Sequence, residues 1–504
     1  MPLKMYTAVA PAAVEPAKVF FPKIPTNDGS SNRHACRRRG TFKFVMQEDK
    51  TATEANGFYQ RLHRHSALYR MILSRPFAPE LILDTWYRID LEIVSELGLS
   101  LKGETAKSCV MELACELHGQ RQGEGLLHLA EDYQIQVRPL QLSAWDHVEN
   151  APEAPGFHNS GIGGLEIKVS GNRQHLTKTK YFLRIIPTFS SIQTCNAIPL
   201  TIGPLEITNQ ASSTLGGWDM DTRCRDMHRV YSLGQLISSQ QRQQQQQLSL
   251  PLFNKYLLVK EGWNDGTPGK MWDSALVLSE MLAKKIAGNV ECLDNRHLID
   301  LSAGTGCVGL LLGVVLKYLN PNHKAKITMT DLPEALGLLK YNMRTNFNYK
   351  PDHRIGVSAL SWGNQSDANR VLAKGKADII LASDVLYQPK LFPALIKTLV
   401  HLSTVGKTVI YLGYKRRGLQ EADENDFFER ASLHFHITAL EKNNKDQPHP
   451  VDWEKATGLV EKDRGGLDGV GWLGRYAYSR PGEVVFGGYS KESDVTVYRL
   501  VPKI

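Results

Sequence analysis

The stretch "LIDLSAGTGCVG", residues 298–309, joins a short apolar run to a glycine loop and places Asp300 near the junction. Gly304, Gly306 and Gly309 satisfy G-x-G-x-x-G, and "VGLLLGVVLKYL" continues with the texture of a helix, so the stretch predicts strand, tight turn and helix in that order. The same alternation repeats downstream. "KITMTD" (326–331) reads as a strand, "ALGLLKYNMRTN" as a helix, "ADIILASDVLY" (377–387) as a strand running into a loop, "LFPALIKTLVHL" as a helix and "TVIYLGY" (408–414) as a strand. Upstream, "KMWDSALVLSEMLAKKI" sets Met271, Ala275, Leu278 and Leu282 on one helical face, with Asp273 in the first turn, where a carboxylate suits the macrodipole. Strands and helices alternating in this way predict an α/β fold with a doubly wound, mostly parallel, Rossmann-like sheet.

In an open parallel sheet, ligands bind beyond the carboxyl ends of the strands. The residues delivered there are Asp300 with the loop Ser302 to Gly306, then Asp331, then Ser383 and Asp384. A dinucleotide site is one reading, because Asp331 follows the glycines at about the spacing of a ribose-binding acid. Three features oppose it. Asp300 would face a pyrophosphate, a long helix precedes the glycine strand, and a further acid, Asp384, ends a later strand. Carboxylates with glycine backbone fit a nucleoside carrying a positive sulfonium better than a diphosphate.

"DLSAGTGCVG", "TDLPEAL", "LSWGN" and "LASDVLYQPKLFPALIKTL" resemble the successive motifs of seven-strand S-adenosylmethionine-dependent methyltransferases. They resemble in particular the lysine methyltransferases of methyltransferase-like family 16, whose members modify non-histone proteins such as translation elongation factors and chaperones. "GKMWDSALVLSEML" is similar to the helix that opens the family's cofactor domain, and "GYKRRGLQEADENDFFE" to its late strand, arginine and acid-plus-Phe-Phe helix. The match covers about 251–440, and "DVTVYRLVP" would close the sheet as a seventh strand.

The resemblance implies S-adenosyl-L-methionine as cofactor and a protein lysine as acceptor. Trp272 would pack against the cofactor, Asp300 would suit its cationic end, and Ser302, Ala303, Gly304 and Gly306 would run under its methionine part. Asp331 would accept both ribose hydroxyls, Trp362 would flank the adenine, and the backbone at Ser383 would line the pocket. Asp384 and Tyr387, in a D-x-x-Y arrangement, would be the catalytic pair shaping the lysine's approach. An N-P-P-Y in place of "SDVLY" would have indicated an amide or a base nitrogen. The sequence departs from the family at Ser302, where glycine is common, and in "KYLNPNHKAK", which lengthens the link to the second strand. A nicotinamide oxidoreductase and a catalytically silent scaffold of the same fold are the alternatives.

The chain has 504 residues, 42% apolar and 22% charged, with a net charge of +8. Its basic residues are scattered, which argues against a nucleic-acid surface. Seven widely spaced cysteines, none in C-x-x-C, read as reduced thiols with no zinc site, in a cytoplasmic or nuclear protein. No membrane span is expected, because the apolar run after the glycine loop is about half the length a bilayer helix needs. A monomer is expected. Residues 1–60, rich in Pro, Ala, Ser and Asn, read as a disordered tail, and 61–194 as a region of unknown function. Within the latter, "SALYRMIL" and "DTWYRIDLEIVSELGLSL" suggest a small helical layer, and β-like runs such as "YFLRIIPTF" follow it. The methyltransferase domain is expected to start at 195 and end at 504, with a Gln-rich insertion near 236–250. The hairpin-like "PLTIGPLEITNQASSTLGGWDMD" (199–221) underlies that start.

Overall fold

The computed structural model describes residues 68–101, 103–121, 127–141, 152–171, 179–188, 197–209, 226–232, 256–347, 354–440 and 494–503. The expected tail at 1–60, the glutamine tract and Trp218 lie outside the described residues. The described residues fall within one compact unit, Asp49–Ile504, which carries two sheets of thirteen and seven strands.

The first sheet includes β1 (Tyr69–Leu73), β2 (Trp86–Val94), β3 (Val110–Arg121), β4 (Ile162–Gly171), β5 (Thr179–Pro187), β6 (Leu200–Thr208), β7 (Met227–Ser232) and β8 (Tyr256–Glu261). This overturns the expected helical layer. In "WYRIDLEIV" the helical spacing of Trp86, Ile89 and Ile93 competes with a period of two, and the latter wins: Ile89, Leu91 and Ile93 are buried while Arg88, Asp90 and Glu92 alternate outward. β6 pairs with β5, β7 with β6 and β8 with β7, all antiparallel. A unit starting at 195 would therefore cut through this sheet, whose last strand ends at Glu261.

The second sheet follows. Its elements are α1 (Asp273–Gly288), β9 (His297–Leu301), α2 (Cys307–Leu319), β10 (Lys326–Asp331), α3 (Leu336–Asn346), β11 (Ile355–Ala359), α4 (Gln365–Leu372) and β12 (Ile379–Ser383). Then come α5 (Phe392–Leu402), β13 (Val409–Tyr414), α6 (Glu421–Ser432), β14 (Phe435–Leu440) and β15 (Thr496–Pro502). Strand order is β11-β10-β9-β12-β13-β15-β14. The first five are parallel, and β15 runs antiparallel to both neighbours. This is the doubly wound, seven-strand architecture expected. All five residues of β9 are buried, as a central parallel strand covered on both faces requires. Residues of α1, α2 and α3 form one apolar cluster with the sheet, and residues of α4, α5 and α6 form another.

Two details fix the geometry around the glycine loop. A Cβ on Gly309 would come 2.6 Å from Met329 Cγ, and one on Gly313 2.7 Å from Ile355 Cδ1. The third glycine of the motif thus lets α2 lie close on the sheet. The open edge of β8 is covered by side chains of α3. Asn346 Oδ1 accepts from Leu258 N at 3.0 Å and its Nδ2 donates to Leu258 O at 2.7 Å, while Asn342 Oδ1 accepts from Lys260 N at 2.9 Å. Two asparagines one helical turn apart thereby satisfy an edge that would otherwise expose backbone groups. Asn342 Nδ2 also donates to Thr305 O at 2.9 Å, which ties the first sheet to the glycine loop. Among the described residues no helix is long and apolar enough to cross a membrane.

Candidate active site

β9 leads on one side to β10 and on the other to β12, so the order of the sheet reverses between β9 and β12. Ligands of such sheets bind beyond the strand ends at this point. The residues singled out from the sequence lie at that edge.

The loop after β9 is a tight strand-to-helix turn. Ser302, Gly304 and Gly306 have φ of +58°, +56° and +83°, and Gly306 caps α2. At Gly306 the backbone conformation favours glycine, and a Cβ would sit 2.4 Å from Leu339 Cδ1, so a side chain there would also have to displace Leu339. Ala303 N donates to Thr330 O at 2.8 Å and Gly306 N to Ala303 O at 2.8 Å, holding the turn over the end of β10. Ser302 takes the left-handed conformation without glycine's freedom, at a cost of about 1–2 kcal/mol. Its hydroxyl accepts from Trp362 Nε1 at 3.0 Å, a bond that glycine could not make. The departure from the family pattern is therefore matched by a fixed Trp362. Trp362 and Tyr387 face one another with ring centroids 6.1 Å apart, and Tyr387 is 46% exposed at the mouth of the site.

Asp331 ends β10 beneath the loop. Its Oδ2 accepts from Gly304 N at 2.7 Å and its Oδ1 from Leu332 N at 2.7 Å. Each oxygen keeps lone pairs for further donors. Asp300 lies deeper, fully buried, with Oδ2 accepting from Gly309 N at 2.9 Å in the first turn of α2 and Oδ1 without a partner. Burial, and to a lesser degree the charge of Asp331, push its carboxyl up to about 7. A carboxyl raised in the folded state favours folding below the unfolded value near 4, and that advantage is lost as pH rises through about 7. We therefore expect Asp300→Asn, which keeps the acceptor for Gly309, to gain stability over the wild type from pH 4 to pH 7. The gain should reach a few kcal/mol and then level off. Thermal melts across that range check it, and a difference independent of pH contradicts it.

Asp384 follows Ser383 at the end of β12 with φ +55°, and its N–H donates to Gly413 O at 2.9 Å. Both carboxylate oxygens are engaged. Arg417 reaches Oδ1 through Nη1 at 2.6 Å and Oδ2 through Nη2 at 2.8 Å, and Ser274 at the start of α1 donates its Oγ and its N–H at 2.6 and 3.1 Å. With 3% of its side chain exposed, Asp384 is built into the frame of the site, in contrast to Tyr387. Trp272, the residue capping α1, carries the Arg417 guanidinium 5.0 Å from its ring centre and donates Nε1 to Thr267 O at 3.0 Å.

The same cluster contains residues that sequence reasoning missed. Glu96, just after β2 of the first sheet, accepts from Arg417 Nε at 2.6 Å and Nη2 at 3.0 Å. Lys415 Nζ lies 3.1 Å from Glu96 and 2.5 Å from Asp273, whose other oxygen meets Arg70 Nη2 of β1 at 2.5 Å. Asp273 thus serves as a buried counter-ion as well as a first-turn acid, at 0% exposure. Nothing in the sequence links Glu96 to Arg417, 321 positions away, and the helical reading of its surroundings hid it.

A family model described as lysine methyltransferase matches residues 252–434. Protein N-lysine methyltransferase METTL21A of Xenopus tropicalis is 32% identical over 190 residues, which span 38% of this chain and 79% of that protein. The chain belongs to the lysine methyltransferase family. EEF1A lysine methyltransferase 3 of Mus musculus is 33% identical over 179 residues, 35% of this chain and 68% of that protein. Protein-lysine N-methyltransferase EFM6 of Saccharomyces cerevisiae is 28% identical over 199 residues, 36% and 76% of the two chains.

Membership decides between the two readings of the glycine loop, in favour of a methyltransferase. The family's methyl donor is S-adenosylmethionine, and the residues of this lysine methyltransferase fit it. The loop closes on Asp331, which has lone pairs to offer a ribose diol. Asp300 keeps an oxygen buried without a partner, and the two carboxylates raise one another's free energy when ionised, so a cationic ligand suits this edge and a pyrophosphate does not.

Proposed function

We propose that this enzyme methylates the side-chain amine of a lysine in a non-histone protein, with a translation elongation factor as the acceptor class that the name of the mouse relative suggests. The observation that carries the reading is the glycine loop closed on Asp331 beside the Asp384–Tyr387 loop, a cofactor floor and an acceptor mouth at one switch point.

When bound, S-adenosylmethionine supplies an electrophilic methyl group on a positive sulfonium. The residues assigned to hold it are Ser302, Ala303, Gly304 and Gly306 as floor, Asp300 toward its cationic end, Asp331 on the ribose hydroxyls, and Trp362 beside the adenine. Trp272 and the backbone of Ser383 complete the pocket. The protein's work is positioning, because an in-line displacement needs no covalent nucleophile. A lysine amine titrates near 10.4 in water and has to be neutral to react, which favours a partly dry approach. Burial, with a contribution from Asp331, raises the Tyr387 phenol, so its oxygen stays protonated at neutral pH and can orient an amine without adding charge. Asp384, with both oxygens taken, holds this loop in shape and acts as a positioning residue. We place the enzyme in the cytoplasm or nucleus, a reading supported by thiols at Cys115 and Cys307.

The full chain incubated with tritiated S-adenosylmethionine and a cell extract is expected to label one or a few protein bands, with the label recovered as methyl-lysine. Label confined to nucleic acid, or no label under conditions where S-adenosylhomocysteine binds, contradicts the proposal.

A further inference from the structure

Arg417 stands between two carboxylates and gives a paired contact to each. Toward the first sheet it meets Glu96 through Nε and Nη2 at 2.6 and 3.0 Å; toward the site it meets Asp384 through Nη1 and Nη2 at 2.6 and 2.8 Å. The planar guanidinium suits such a bridge because its donors are fixed in a fork. The bridge is sheltered, since Glu96 and Asp384 side chains are 1% and 3% exposed and Arg417 17%. Arg417 also lies over the ring of Trp272. The turn that carries Glu96 is held in place from the second half of the chain: Lys270 Nζ donates to Leu97 O at 3.2 Å, and Gly98 packs against Trp263. Around Glu96, the cations Arg70, Lys415 and Arg417 face the carboxylates of Glu96, Asp273 and Asp384.

We propose that Glu96 is a positioning residue for methyl transfer, which through Arg417 sets the shape of the Asp384–Tyr387 loop, so that the thirteen-strand sheet is part of the catalytic unit. The proposal rests on the assignment of that loop to the acceptor side. Asp384 sits in a left-handed conformation, which aspartate tolerates better than most residues but at some cost that its contacts offset. Ser274 supplies part of that support from α1, Gly413 O part through the Asp384 N–H, and Arg417 part, and Arg417 is in turn held by Glu96, by Lys415 O and by the Trp272 ring. These contacts do not reach Asp331 or the glycine loop; their links to the cofactor side are Trp272, under Arg417, and Ser383, next to Asp384. Loss of Glu96 should therefore damage transfer to the acceptor far more than binding of the cofactor.

The test uses the full chain and two variants, Glu96→Gln, which removes the charge, and Glu96→Asp, which keeps it but shortens the reach. Labelling of a fixed amount of cell extract is followed against the concentration of tritiated S-adenosylmethionine, and S-adenosylhomocysteine affinity is measured by calorimetry at a temperature where melts show folded protein. The expected result is a maximal labelling rate at least 10-fold lower in Glu96→Gln and intermediate in Glu96→Asp. The apparent KM for S-adenosylmethionine and the Kd for S-adenosylhomocysteine should stay within about threefold of wild type. A labelling rate within twofold of wild type in both variants, or a fall that only tracks lost cofactor affinity or lost folded protein, overturns the proposal. Wild-type protein that binds S-adenosylhomocysteine but labels nothing overturns the function itself, and this inference with it.

Discussion

Replacing Asp331 with alanine is expected to lower affinity for S-adenosylhomocysteine by about 100-fold or more. Two hydroxyls donating to an ionised carboxylate contribute about 1.5–3 kcal/mol each, and each 1.4 kcal/mol is a factor of ten. The loss has a second source. Asp331 also accepts from Gly304 N and Leu332 N at 2.7 Å, so alanine leaves the glycine turn without the anchor that closes it. Asp331→Asn separates the two effects: an amide keeps one acceptor for Gly304 N, but its NH2 would point donors at donors. Affinity in Asp331→Asn should lie between those of the wild type and alanine forms. Calorimetric titration checks both, and a change of less than 10-fold in Asp331→Ala would refute the ribose assignment.

Legibility followed sequence distance. The C-terminal sheet could be read because each strand is followed within a few residues by its own turn and helix, so the evidence for β9, Gly306 and α2 is local. The motif marked the third glycine, Gly309, but its close approach to Met329 is seen only in the fold. The first sheet resisted for the opposite reason. "WYRIDLEIV" carries two periods at once, and the choice between them is made by partners far away in the chain, β1 and β4. The strand at 200–208 read correctly as extended, but its neighbours in the sheet could not be read, since pairing partners leave no mark in a strand's own residues.

The candidate site divides in the same way. Asp331 and the glycine loop could be picked out because strand ends deliver them, and Trp362 through the family resemblance. What Asp384 does could not, because it depends on Arg417 from one loop, Ser274 from the start of α1 and Glu96 from another sheet. A D-x-x-Y pattern alone suggests an acid facing the substrate, whereas the structure gives both its oxygens to the frame and leaves Tyr387 exposed.

Asp273→Asn is expected to destabilise the protein by about 3–5 kcal/mol, the usual consequence of removing one partner from a buried ion pair. Asp273 is fully buried and meets Arg70 and Lys415 at 2.5 Å, so the substitution leaves these two buried cations, with the partly exposed Arg417, facing Glu96 and Asp384. Against a typical folding stability of about 5–15 kcal/mol this is a large fraction, and in a unit of this size the melting temperature should fall by roughly 5 °C. The cause is imbalance of charge more than lost contact. Adding Arg70→Met to Asp273→Asn restores the balance, so the double variant should melt above the temperature expected from summing the two single losses. Acid should act on the same cluster. Burial alone would raise the Glu96 carboxyl, but Arg417, Lys415 and Arg70 overcome it and hold it well below the usual carboxylate range. A depressed carboxyl stabilises the fold at every pH above its unfolded value, and the stabilisation is lost as pH falls through the folded one, so the Glu96 contacts are kept at neutral pH and lost only in strong acid, whereas burial outweighs Arg417 and raises the Asp384 carboxyl. Melts of the wild type, both single variants and the double variant at neutral pH decide the matter. Strict additivity of the two losses, or a fall of less than about 2 °C in Asp273→Asn, would show that the cluster does not act as one electrostatic unit.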